Sequence, residues 1–208
     1  MLFRPLLAVW MLLSSPAVEK TIVGFCVSWI VVRDLAPEKI FETIGMKVSA
    51  KPADPLALHW SAPWSAYYSY RDLKNGWHVI EADNIDLISE KEPWLLKLSE
   101  LAPTYAYHEE EHVMYSSGAG YENGKRIWYI EHNSERGLED LITEGRLPAC
   151  FDEIYSTRLG LLKSGADCGN TLMGVPVAVI QTFIGINCSH DCWPGEMGFP
   201  VYVPLEDA

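Results

Sequence analysis

The sequence predicts an α+β fold: a single domain with one antiparallel sheet, hairpins, and helices packed on one face. Three observations predict it. Two pairs of β-rich runs are closed by Asn-Gly, at Asn75-Gly76 and Asn123-Gly124, the strongest short-range signal for a tight hairpin. The order of segments, strand–helix–strand, hairpin, helix, hairpin, helices, suits an antiparallel sheet with separate helices. The chain has 208 residues, 49% of them hydrophobic and 21% charged. That is enough apolar material for a core that needs neither disulfides nor metals.

The elements follow in order. Residues 1–20, "MLFRPLLAVWMLLSSPAVEK", are set apart from the domain at 21–208 as a leader, either signal-like or disordered. Ser15 and Ala17 are small residues suited to cleavage after Ala17, and the apolar run before them is too short to span a bilayer. The expected compartment is the cytoplasm, with the periplasm as the alternative if residues 1–17 are a true signal peptide. "VGFCVSWIVVR" (Val23–Arg33) reads as a buried strand. "APEKIFETIG" (Ala36–Gly45) reads as a helix, with Pro37 at its first position, Gly45 as its stop and Ile40, Phe41 and Ile44 as its buried stripe. "MKVSA" (Met46–Ala50) returns as a strand. Residues 51–65 are a proline-rich loop with Trp60 and Trp64. Ala66–Ala82 reads as strand, turn and strand, and Glu92–Ala102 as a short amphipathic helix with Leu95, Leu98 and Leu101 at helical spacing. Ser134–Pro148 and Ala149–Gly165 both read as helices. Val175–Gly185 reads as a helix because Pro176 suits a first turn. An edge strand is expected around Val201–Val203.

Net charge is −12, from 28 acidic and 16 basic residues. That opposes a nucleic-acid partner, whose phosphates need cations, and docking on an anionic membrane. It permits a basic protein partner. Five cysteines, an odd count in a chain of this length, are not a disulfide framework. "NCSHDCW" (Asn187–Trp193) groups Cys188, His190, Asp191 and Cys192, but a zinc motif needs a second such cluster. In an exported chain a disulfide is the better reading of that group. No phosphate-binding loop, dinucleotide fingerprint or serine nucleophile elbow is present.

One motif carries chemistry if it carries anything. His108-Glu109-Glu110-Glu111-His112 matches H-E-x-x-H, and Glu131 lies nineteen residues beyond His112. On a helix the two histidines would share a face and reach one zinc ion, with Glu109 as general base and Glu131 completing the ligands. The flanks favour a strand instead. Tyr105, Tyr107, Val113 and Tyr115 stand at period two, and Asn123-Gly124 followed by "KRIWYIEH" reads as a hairpin. With Glu122 opposite Lys125, Ser117 falls opposite Ile130, unless a bulge at Gly118–Gly120 shifts the register. On an extended backbone the His108 and His112 Cα atoms stand about 13 Å apart, too far for a shared ion. No metal or other cofactor is expected.

"EEHVMYSSGAGYENGKRIWYIEHN", with "SWIVVRDLAPEKIFETIGM" and "GWHVIEA", resembles a family of uncharacterised bacterial proteins with no known activity. Its pattern is an acidic pair, His-Val-Met, an aromatic, two serines and a glycine-containing turn. The resemblance touches about a third of the chain. Within it the place of His108 is not expected to be His, which implies that H-E-x-x-H is an accident of one member.

The function expected is therefore non-enzymatic protein binding, in one version that of a bacterial immunity-type protein whose acidic face blocks a toxin. The candidate binding residues are Glu109, Glu110 and Glu111 as an anionic patch, and Trp60 and Trp64 as the walls of a groove. The alternative is a zinc-dependent hydrolase using His108, Glu109, His112 and Glu131.

Overall fold

The structure, a computed structural model, describes residues 26–48, 68–73, 75–82, 88–166, 171–185 and 201–204. Along the chain run β1 (Cys26–Arg33), α1 (Pro37–Ile44), β2 (Met46–Val48), β3 (Tyr68–Asp72), β4 (Trp77–Ala82) and a 3₁₀ turn η1 (Ile88–Glu90). Next come α2 (Glu92–Ser99), β5 (Thr104–Glu110), β6 (Tyr115–Glu122), β7 (Lys125–Asn133) and β8 (Ile142–Gly145). The chain continues with α3 (Phe151–Ser164), η2 (Thr171–Gly174), α4 (Val175–Ile184) and β9 (Val201–Pro204). Among the described residues nine strands join one sheet in the order β2-β9-β3-β4-β1-β5-β6-β7-β8, and each of these pairings is antiparallel. The fold is α+β.

The central strand β1 dictates the layering. Its run Ser28–Val32 is buried without a break, so successive side chains enter two different cores. Ile30 and Val32 meet Ile40, Phe41 and Ile44 of α1 and Leu95 and Leu98 of α2 on the first face. Trp29 and Val31 meet Val175, Val179 and Ile180 of α4 on the second, with Phe151 of α3 in the same core. Each such buried side chain contributes roughly 1.5–3 kcal/mol relative to exposure. The expectation of helices on one face is thus corrected. A central strand apolar on both sides needs both sides covered, and α1 and α2 take one while α3 and α4 take the other.

Local chemistry explains the helix ends. Pro37 lies in the first turn of α1, and Gly45 ends it in the left-handed region at φ 71°, a conformation in which glycine has no Cβ to clash. The turn returns the chain as β2, which covers the outer side of β9. Residues 201–203 are therefore not an edge strand: β9 lies between β2 and β3. Leu101 lies beyond the end of α2 and is exposed, so it does not extend that helix's buried stripe.

The helix expected over Ser134–Pro148 is absent. Asp140 folds this segment as a loop: its carboxylate accepts from the Asn133 backbone N–H at 3.2 Å and from Arg136, and its carbonyl lies 2.7 Å from His132 Nδ1. β8 then pairs with β7 as an exposed edge. Gly145 closes it at φ 76°, where a Cβ would stand 2.1 Å from the Ile127 carbonyl oxygen.

In the β6–β7 hairpin Glu122 pairs with Lys125 across Asn123-Gly124, both of which have positive φ. A register shift between Gly120 and Tyr121 places Ser117 opposite Glu131. The glycines of β6 serve the second face: Pro176 Cβ would lie 3.0 Å from a Cβ at Gly118, and the Trp128 indole nitrogen 2.2 Å from one at Gly120.

Candidate functional site

His108-Glu-Glu-Glu-His112 occupies the end of β5 and the turn that follows it. His108 points into the first face, opposite Ser28 on β1 and Ser117 on β6. His112 sits in the exposed turn, where its backbone N–H donates to Glu110 Oε1 at 3.1 Å and its Nδ1 lies 2.5 Å from the same oxygen. Glu131 is two strands from His108, about 10 Å at ordinary strand spacing. It accepts from Tyr129 OH at 2.5 Å and from Arg136 at 2.6 Å. Burial alone would raise the Glu131 carboxyl, but the hydrogen bonds from Tyr129 and Arg136 hold it below the ordinary range. The helix that the zinc-hydrolase reading requires is a strand and a turn, so His108, His112 and Glu131 do not converge. Among the described residues no group of three His, Cys, Asp or Glu is placed to hold a metal ion.

The strand also divides the three glutamates. Glu109 lies on the second face, where it accepts from the Tyr107 hydroxyl. Glu110 lies on the first, with His112. Glu111 begins the turn. Trp60 and Trp64 lie outside the described residues.

Charge is gathered by a loop contact instead. Ser134 binds the turn after β5 twice: its N–H donates to the Met114 carbonyl at 3.2 Å and its hydroxyl to the Val113 carbonyl at 3.1 Å. Turn 111–114 and loop 134–140 thereby form one end of the sheet. Residues 109–114 and 131–140 together carry seven carboxylates and one arginine. That arginine, Arg136, is spent on Glu131 and Asp140. Within this acidic end Val113 and Leu138 are 45% and 58% exposed.

A second polar group lies deeper on the first face. His108 Nε2 is 3.8 Å from Cys26 Sγ, and His108 Nδ1 is 3.6 Å from Glu90 Oε1. The order thiol–imidazole–carboxylate resembles a nucleophile with its base. Electrostatics oppose that use. Burial, then Glu110 and Glu90, push the Cys26 thiol up to about 12, so a resting thiolate is negligible at neutral pH. Burial also lowers the His108 pKa, with Glu90 and Glu110 offsetting part of the effect. Both groups rest neutral.

Beside them is a cavity of about 210 Å³ between η1, the start of α2 and strands β5–β7. Sequence reasoning missed this site and the partner of Cys26. Cys26 and His108 are 82 residues apart, and only the β1–β5 register joins them. No protein-family model matches the chain, and neither a curated protein nor a solved structure does. Among the described residues no helix is long and apolar enough to cross a membrane.

Proposed function

We propose that the protein is a non-enzymatic binding protein that holds a basic protein partner at the acidic end formed by turn 111–114 and loop 134–140. The observation that carries this reading is the joining of the two segments by Ser134, which concentrates carboxylates around exposed Val113 and Leu138. Carboxylates of one sign steer a cationic partner and speed encounter. Two apolar side chains among them supply area that a partner can cover. Of the three glutamates first singled out, Glu111 lies in this surface, and Glu109 and Glu110 stand at its margin as its fixed charge. A specific version is an immunity-type protein that blocks a basic toxin, for which the acidic end is the occluding surface.

The test screens the purified products of the genes flanking this chain's own for a basic protein that binds it. A one-to-one complex on size-exclusion chromatography is expected, with an association rate that falls steeply between 50 and roughly 300 mM salt. Glu111→Gln/Glu135→Gln/Glu139→Gln should slow association at least tenfold, and Leu138→Ser should speed dissociation. A complex whose rates neither salt nor these variants alter would place the interface elsewhere and overturn the reading.

A further inference from the structure

Among the described residues the sheet ends in β2 on one side and β8 on the other. An edge strand presents unpaired backbone N–H and C=O groups, and proteins commonly guard such edges with lysine or proline. β2 has Lys47 at its middle. β8 reads Ile142-Thr143-Glu144-Gly145, has neither, and is exposed at every residue. Its one charge is neutralised on its own side, because Arg126 of β7 donates to Glu144 at 2.7 Å. The open part of this edge has definite ends. The Asp140 carbonyl is engaged by His132 Nδ1 at 2.7 Å, and the Arg146 N–H donates to the Ile127 carbonyl at 2.9 Å. The run between them is 141–145, and its midpoint is Thr143.

We propose that β8 is a self-association edge: it pairs antiparallel with β8 of a second copy of this chain, about a twofold axis at Thr143, and so continues the sheet across both copies. Hydrogen-bonded and non-hydrogen-bonded pairs alternate along an antiparallel ladder. The twofold axis of two identical strands therefore passes beside one residue, which faces its own counterpart. An axis at Ile142 sets Asp140 against the second copy's Glu144 and calls on the carbonyl that His132 already holds. An axis at Glu144 sets that carboxylate against its counterpart and calls on the Arg146 amide that Ile127 already holds. Like charges directly opposite each other are destabilising.

An axis at Thr143 avoids all four conflicts. Ile142 faces the second copy's Glu144, and Leu141 faces its Gly145. Just past the ladder, Arg146 stands beside its Asp140, a residue of opposite charge. Ile142, 39% exposed in the single copy, is covered. The edge's own sequence satisfies the register that its open backbone sets, which is the reason to name a second copy as its occupant. Each copy carries a net charge of −12, so the two repel at low salt, and screening relieves the repulsion. Salt therefore strengthens this association and weakens the binding of a basic partner, so either proposal can fail without the other.

The experiment is sedimentation equilibrium of the full chain at about 50 mM and about 0.5 M salt, with disulfide crosslinking to read the register. A monomer–dimer equilibrium is expected, at least threefold tighter at the higher salt. Thr143→Lys lowers the net charge and would tighten any non-specific association. At the axis it sets two ammonium groups face to face, so it should weaken the dimer at least tenfold. Thr143 is exposed, and the variant should keep the parent's thermal midpoint, which is measured alongside. Under mild oxidation Thr143→Cys should form an intermolecular disulfide at least tenfold faster than Ile142→Cys or Glu144→Cys, since only position 143 faces itself. The parent, with its five cysteines, sets the background. The proposal is overturned by a monomer at both salt concentrations or by a dimer that Thr143→Lys leaves unchanged. It is equally overturned by crosslinking that is as fast from position 142 or 144 as from 143.

Discussion

Inside the first face, the His108 imidazole is kept neutral by burial, which lowers its pKa from the usual 6.5 against the opposing pull of Glu90 and Glu110. The unfolded chain therefore binds this proton more readily than the folded one. In the window between the lowered value and 6.5, stability rises with pH and falls as the solution is acidified. Glu131 has the same sign by another route. Its folded pKa lies below 4.5 once the bonds from Tyr129 and Arg136 outweigh burial, so its contribution is present above 4.5 and lost on further acidification. Urea unfolding followed from pH 8 to 4 should show a decline beginning near 6.5. His108→Gln should remove that first decline and leave the later one. An unchanged profile in the variant would mean that His108 titrates alike in both states. The Cys26 thiol, pushed up to about 12, should be alkylated by iodoacetamide at pH 8 far more slowly than a model thiol of pKa near 8.5. At Gly120 the constraint is steric. Its missing Cβ makes room for the Trp128 indole, and Gly120→Ala should cost about 1–3 kcal/mol by forcing that ring aside.

At the scale of elements, α3 is set apart by having Phe151 as its one buried residue. Gly160 sits in its interior with nothing within 4 Å of where a Cβ would be. Gly160→Ala should stabilise the protein by about 0.5–1 kcal/mol, read as a higher urea midpoint at unchanged slope. How much of each element was legible follows from which forces act locally. α1 was readable because Pro37, Gly45 and the stripe Ile40-Phe41-Ile44 all lie within ten residues. The start of the β6–β7 hairpin was readable because Asn123-Gly124 sets it, whereas the register beyond was not: a shift at Gly120/Tyr121 moves Ser117 from opposite Ile130 to opposite Glu131. The turn after β5 was not: "EHVM" contains no glycine or proline, and its tightness rests on Met114 at φ 51° and on Ser134 from another loop. β8 was misread as helix because its pairing partner β7, the Asp140 bonds and the crowding at Gly145 are all tertiary. The first-face site was hidden for the same reason. The pairings Ser28–His108–Ser117 and Ala106–Ala119 exist only once β1, β5 and β6 lie side by side, and Glu90 joins them from a short turn with no sequence signature.

For the whole molecule, a net charge of −12 is a standing cost, since like charges repel more when the chain is compact. The acidic end concentrates that cost: its arginine is already paired, and Glu139 has only a 3.6 Å contact with Lys163 between two exposed side chains. Exposed pairs of that kind contribute about 0–1 kcal/mol. If these carboxylates served the fold, removing them would weaken it. If they serve a partner, the unbound protein is better off without them, as stability gained at a binding surface is commonly function lost. Glu111→Gln/Glu135→Gln/Glu139→Gln should therefore raise the melting temperature in 10 mM salt. The gain should vanish near 0.5 M salt, where screening reaches only a few ångströms. Binding of the basic partner should weaken in the same variant. A melting temperature that drops at both salt concentrations would assign these carboxylates to holding loop 134–140 in place and leave the acidic end without a reason to face outward.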